Sequence, residues 1–270
     1  MAGAVVAPAS CPSGQMGSPV CISTTSSNGA GKDLQSQINN ITTSGPNINV
    51  YTDQTNPSDY WSIGATGVSE NSLMFEIAAN AGINSFGIYD PNNPKTRLQL
   101  FSGTAGAGYT TSLSNPSDGN YVAQYSNANG NFISEQTAHF STSNLFGYYL
   151  TNGADTFYSD PTLNGTSSLY PEGNPNMVAI QGNGETQLQI GTRSPATFLL
   201  NEFILAWEDT ALASSNHDYN DFVVMVESVH PNANTSVPEP AILGLFGLGL
   251  LLMSVAPKLN PRRELSSIAA

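Results

Sequence analysis

Carboxylates and amides crowd one stretch of this sequence. Between two apolar runs, Phe203 to Trp207 and Phe222 to Val226, a segment collects Glu208, Asp209, Asp218 and Asp221 together with Asn216 and Asn220. Hard cations such as Ca²⁺ take six to eight oxygens from carboxylates, amides and carbonyls, and short acidic loops supply them. Asp218, Asn220 and Asp221 put three oxygen donors within four residues, so Glu208, Asp209, Asp218, Asn220 and Asp221 are the candidate calcium ligands. The spacing is not that of an EF-hand, because the glycine and the terminal Glu are misplaced. Bunched carboxylates repel each other unless something neutralises them. The other use of such residues is structural, with Asp and Asn side chains bonding turn backbone in Asx-type turns.

The elements that must position these groups are strands. Antiparallel pairing of 203–207 with 222–226 is the simplest arrangement and brings the acidic segment to one end of a hairpin. Further short apolar or alternating runs occur at Leu73–Ile77, Ser85–Tyr89, Arg97–Phe101, Tyr121–Tyr125, Phe146–Leu150 and Met177–Ile180, separated by Asp-Pro, Asn-Pro, Asn-Gly and Gly-Asn breakers. Leu34, Ile38 and Ile41 fall at helical spacing, and Gly45-Pro46 closes that stretch. The expected fold is mainly β, an antiparallel sandwich or jelly roll over residues 31–230 with one short N-terminal helix. Residues 11–30 read as an arm and 231–236 as a linker.

Composition narrows the function. Seven basic against 20 acidic residues give a net charge of -13. That excludes a general nucleic-acid binder, which needs a positive field. Only 10% of residues are charged, so amides and hydroxyls must solvate the surface, while 11 Tyr and 11 Phe provide for a real core. No GxSxG elbow, HExxH helix or GxxxxGK[ST] loop occurs, and His139, His217 and His230 are scattered. Paired carboxylates can cleave sugars when two face each other some 5 to 10 Å apart, but here they concentrate in one loop. The residues therefore point to a non-enzymatic protein, with a carbohydrate-binding or carbohydrate-cleaving domain as the alternative. Trp61 or Tyr60, if exposed, is a candidate for stacking on sugar.

Both ends of the chain carry addresses. Met1 to Ser10 is short, small and apolar, with Ala7-Pro8-Ala9 like the end of a secretory signal, and reads as a signal-peptide remnant. Cys11 and Cys21 lack the further ligands a zinc site needs. A local disulfide suits an exported chain. Two unpaired thiols on the arm is the other reading, and spacing alone does not choose between them. At the C-terminal end, Pro238-Glu239-Pro240 precedes an apolar run over 241–256 in which Ser254 is the one polar residue. Lys258, Arg262 and Arg263 follow. As a helix that run spans about 24 Å at 1.5 Å per residue, against ~30 Å of hydrocarbon; flanking residues reaching the interface make a short or transient transmembrane helix feasible. The basic residues would stay cytoplasmic and leave the body outside.

The order of triplet, apolar span and basic patch over Val237 to Arg263 resembles the PEP-CTERM sorting signal. That resemblance implies export and temporary inner-membrane retention. It also implies cleavage near the triplet by an exosortase-type membrane protease, and release to the cell surface or matrix of a bacterium making extracellular polysaccharide. Pro238, Glu239 and Pro240 would be the recognition element, held extended by the prolines. The body carries a second resemblance. Trp207-Glu208-Asp209 with Asp218-Tyr219-Asn220-Asp221-Phe222-Val223-Val224 is similar to the closing motif of a domain family of unknown function in secreted bacterial proteins. Phe86 to Pro91 with Leu100-Phe101, and Thr156 to Ser159, resemble its internal motifs. It implies an all-β fold over about 31–230 and a cation at the acidic motif. The expected function is a surface or matrix protein that touches exopolysaccharide.

Overall fold

The continuous apolar runs become strands covered on both faces. The computed structural model describes residues 19–232 except 57, 79 and 169. The helix α1 (Leu34–Ile41) leads into β1 (Thr42–Ser44), β2 (Tyr60–Ile63), β3 (Val68–Phe75), β4 (Ser85–Asp90) and β5 (Asn93–Phe101). Next come β6 (Thr110–Ser117), β7 (Asn120–Ser126), β8 (Phe132–His139), β9 (Gly147–Thr151), β10 (Thr156–Tyr158) and β11 (Met177–Gln181). β12 (Gln187–Leu188), β13 (Ala196–Thr197), β14 (Glu202–Trp207), β15 (Phe222–Glu227) and β16 (Val229–Asn232) complete the described chain. The fold is mainly β, its sheets are antiparallel, and α1 is the one α-helix among the described residues. Each of the eight apolar runs falls wholly or largely within a strand.

A seven-stranded sheet runs in the order β11-β14-β15-β3-β6-β7-β8, and a four-stranded sheet in the order β10-β9-β4-β5. Phe203, Leu205 and Trp207 of β14 and Phe222, Val224 and Val226 of β15 share one buried cluster with Phe86, Ile88, Tyr148 and Leu150 of the smaller sheet. The alternate residues Ile204, Ala206 and Val223 join a second cluster with Leu34 and Ile38 of α1, Ile48 and Val50. Because successive side chains point to opposite faces, strands buried on both sides read as unbroken hydrophobic runs. That is why β11, β14 and β15 stood out in the sequence.

The helix starts where Asp33 caps it, its carboxylate accepting from Ser36 N at 2.9 Å. It stops at Ile41 rather than running to Gly45-Pro46: Thr42 leaves helical geometry and enters β1, opposite Leu188. Two β-branched threonines in a row favour that exit. Residues 19–30 lie against the body, with Ile22 2% exposed, and Pro231 and Asn232 pair with Trp61 and Tyr60. Trp61 is 0% exposed, seated edge-on against Phe203 at 4.9 Å between ring centroids. It fills the core and is closed to a sugar, which corrects the stacking role considered above. Among the described residues no helix is long and apolar enough to cross a membrane. The residues of the tail motif, Pro238 to Arg263, lie outside the described residues, as does Cys11. No described cysteine is free.

Candidate metal centre

Strand order explains how distant residues meet. In the antiparallel series β11-β14-β15-β3, one end of the sheet collects the start of β11, the end of β14, the start of β15 and the end of β3. The residues just beyond those ends are Asn176, Glu208 with Asp209, Asp221, and Glu76. Asn84 arrives at the same place from the start of β4 in the other sheet, its Nδ2 donating to Asp209 Oδ2 at 3.0 Å. Rings fix the mouth of the loop: Trp207 pairs with Phe222 across β14 and β15. Phe86 touches both, edge-on to Trp207 at 6.0 Å and stacked on Phe222 at 5.5 Å. Such pairs contribute roughly 0.5–1.5 kcal/mol each beyond their burial.

The loop itself is folded against its own preference. His217 and Tyr219 adopt positive φ, 58° and 50°, a region costly for side chains other than Gly, Asn or Asp. Contacts on every side hold that conformation. His217 O accepts from Ser23 N at 2.6 Å. Tyr219 N donates to Glu208 Oε1 and its hydroxyl to Pro175 O, each at 2.6 Å. Asn220 Nδ2 donates to Ser26 Oγ at 3.0 Å and to Lys32 O. Left-handed residues thus bracket Asp218, with Asn220 next along the chain, while Glu208 reaches the same place from the end of β14. All three are 0% exposed, and Asp209 and Asp221 are 3% and 7% exposed.

Burial without partners is the unusual feature. Glu208 Oε2, Asp218 Oδ1, Asn220 Oδ1, Glu76 Oε1, Asn84 Oδ1 and Asn176 Oδ1 are buried acceptors with no hydrogen-bond partner. Ser26 and Asn220 lie near enough to Asp218 to favour its charge, as Ser215 does for Glu208 and Asn84 for Glu76, yet none meets the orphaned oxygen in hydrogen-bonding geometry. Each such buried group costs on the order of 1–3 kcal/mol. Burial pushes Glu208 up to about 7, with Asp218 and Asp209 adding repulsion. It also pushes Glu76 up to about 7, with Asp209 adding. Burial and then the neighbouring Glu208 carboxylate raise Asp221 far above the usual carboxylate range, and burial raises Asp218. No Lys or Arg lies among the charges acting on these four.

Glu208, Asp209, Asp218, Asn220 and Asp221 thus lie at one end of the sheet, all of them buried. Among the described residues no three Asp, Glu, His or Cys converge as a ready-made metal group. Half of the orphaned acceptors, however, are amide oxygens, which suit calcium and which a carboxylate-and-histidine set leaves out. Glu76, Asn84, Asn176 and Ser26 were not foreseen. Glu76 was visible as the one charge inside the apolar run Leu73–Ile77; the asparagines looked like ordinary turn residues. A separate cleft of about 490 Å³, lined by Gln54, Asp59, Ser159, Thr162, Tyr170 and Glu172 among others, does not include the acidic loop. Burial, then Asp160, raises Asp59 there to about 6. No family model, no curated protein and no solved structure matches this chain.

Proposed function

We propose that this protein is an exported, non-enzymatic component of the cell surface or extracellular matrix, whose sandwich-type or jelly-roll-like β body is locked by Ca²⁺ at the 207–221 loop. The observation that carries the calcium reading is the set of buried acceptors at Glu208, Asp218 and Asn220 with no donor and no basic partner. A hard cation would satisfy all three at once, with Asp209 and Asp221 supplying further charge. The ion would tie the end of β14 to the start of β15 and relieve the repulsion that otherwise opposes closure. It supplies cross-linking and charge neutralisation, and no reaction step is assigned to it.

Export rests on the tail. An exosortase-type membrane protease would recognise Pro238, Glu239 and Pro240, while a transmembrane helix over 241–256 is held by Lys258, Arg262 and Arg263 on the cytoplasmic side. A Cys11–Cys21 disulfide fits the same oxidising destination. Fractionation of cells carrying wild type and Glu239→Ala tests this: wild type is cleaved and released, the variant accumulates at full length in the inner membrane. Full-length wild type in the cytosol would contradict it.

For calcium, thermal melting with and without chelator is the test. At a hundred times its dissociation constant an ion stabilises by ~2.7 kcal/mol, or roughly 5–10 °C for a body of this size; an unchanged Tm would remove the reading. The cleft beside Asp59 favours a second reading, a saccharide site. Glycan binding lost in Asp59→Ala but kept in Asp218→Ala would support it.

A further inference from the structure

The acidic cluster divides into two sets of acceptors. Glu208 Oε2, Asp218 Oδ1 and Asn220 Oδ1 belong to the loop. Glu76 and Asn84 come from the end of β3 and the start of β4, and Asp209 is what joins them. Asn84 Nδ2 bonds Asp209 Oδ2, and Asp209 is the one charge acting on Glu76. Asp221 stands between the sets, its Oδ2 accepting from Asp209 N at 3.0 Å while Glu208 is its strongest charged neighbour.

Two observations show that a single ion leaves this cluster incomplete. Asn84 is 0% exposed and its Oδ1 meets no donor; its side chain lies near enough to Glu76 to favour that carboxylate's charge, yet Glu76 Oε1 gains no bond in hydrogen-bonding geometry. An amide placed only to cap Asp209 would still need a donor for its oxygen. The charge count agrees. Glu208, Asp209, Asp218 and Asp221 are buried and Glu76 is half-buried; fully ionised they carry five negative charges, of which one divalent ion balances two and two ions balance four.

We propose that Glu76, Asn84 and Asp209 hold a second Ca²⁺, distinct from the ion at Glu208, Asp218 and Asn220. This rests on the calcium reading of the loop and adds to it a second ion held partly by the facing sheet. The second ion would fasten β3 of one sheet to β4 of the other, where the first fastens only β14 to β15.

Native mass spectrometry and calorimetric titration of the full-length chain with Ca²⁺, in mild detergent to keep the apolar tail soluble, count the ions. Wild type is expected to take up two. Glu76→Gln, close to isosteric, is expected to keep one and to weaken the other step by at least about tenfold, since even outer-shell changes cost 10–100-fold. Asp218→Asn is expected to spare the step that Glu76→Gln removes. Should Glu76→Gln fail to fold, Asn84→Asp serves instead: added ligand charge should tighten the second step while lowering Tm in chelator. Saturation of wild type at one ion, or two ions still bound by Glu76→Gln, would overturn the second site and leave the first intact. No uptake at all would overturn both.

Discussion

The two ends of the β14–β15 pair both gather carboxylates, and they manage them differently. At one end Glu202 lies directly opposite Glu227, and Glu70 of β3 adds a third charge acting on Glu227. Arg193 lowers the cost for both Glu227 and Glu70, and Glu202 Oε2 accepts from Leu199 N at 2.7 Å. None of these three glutamates leaves a buried oxygen unpartnered. At the other end the charges are more numerous, no arginine acts on Glu76, Glu208, Asp218 or Asp221, and acceptors are left orphaned. Like charges can be neighbours when a guanidinium and water share the cost. Where neither is present, protons held on the raised carboxylates or, in the reading proposed above, Ca²⁺ would supply the compensation.

The same substitution at the two ends should break the symmetry most visibly. In calcium, Glu208→Gln is expected to cost ~3–5 kcal/mol, as when one partner of a buried charge pair is removed. In chelator the loss should shrink or reverse, because an uncompensated buried charge has gone. Paired melts of wild type and variant in the two conditions check this, and equal loss in both would contradict it. Smaller is the calcium effect on wild type set out above, roughly 5–10 °C. At the compensated end, Glu227→Gln is expected to give a gain of at most ~1 kcal/mol at pH 8, since solvent screens the charge, and the same gain with or without calcium.

The smallest effect is in pH. Burial, then Glu202 and Glu70, raises Glu227 to about 7 from 4.5. Between those values the folded chain binds more protons than the unfolded one, so this group's contribution to stability falls as pH rises from about 4.5 to about 7. The penalty is complete above that window and absent below it. Melting of calcium-saturated protein across pH 5 to 8, compared with Glu227→Gln, should show the slope in wild type and a shallower one in the variant.

The doubly buried strands were legible because they are short unbroken apolar runs between polar segments: Phe203 to Trp207 and Phe222 to Val226 are apolar at every position, and their pairing also placed the acidic loop. Strands β6 and β8 were missed for the opposite reason. Thr110–Ser117 is mostly Ser, Thr and Asn, and Phe132–His139 is exposed at nearly every position, so neither shows a hydrophobic face. Trp61 lies in the four-residue strand β2, whose alternation with buried Ile63 is too short to stand out in the sequence. The cluster proposed as the ligand set was half legible. Glu208 to Asp221 are close in sequence, whereas Asn84 and Asn176 reach the site only through strand order, which no local pattern encodes.

Anomalous scattering from crystals grown with calcium addresses the central claim most directly. The account predicts a peak within about 2.3–2.6 Å of Glu208 Oε2, Asp218 Oδ1 and Asn220 Oδ1. Density with no such peak, in which those oxygens instead bond to protons on one another or to a lysine or arginine, would contradict it.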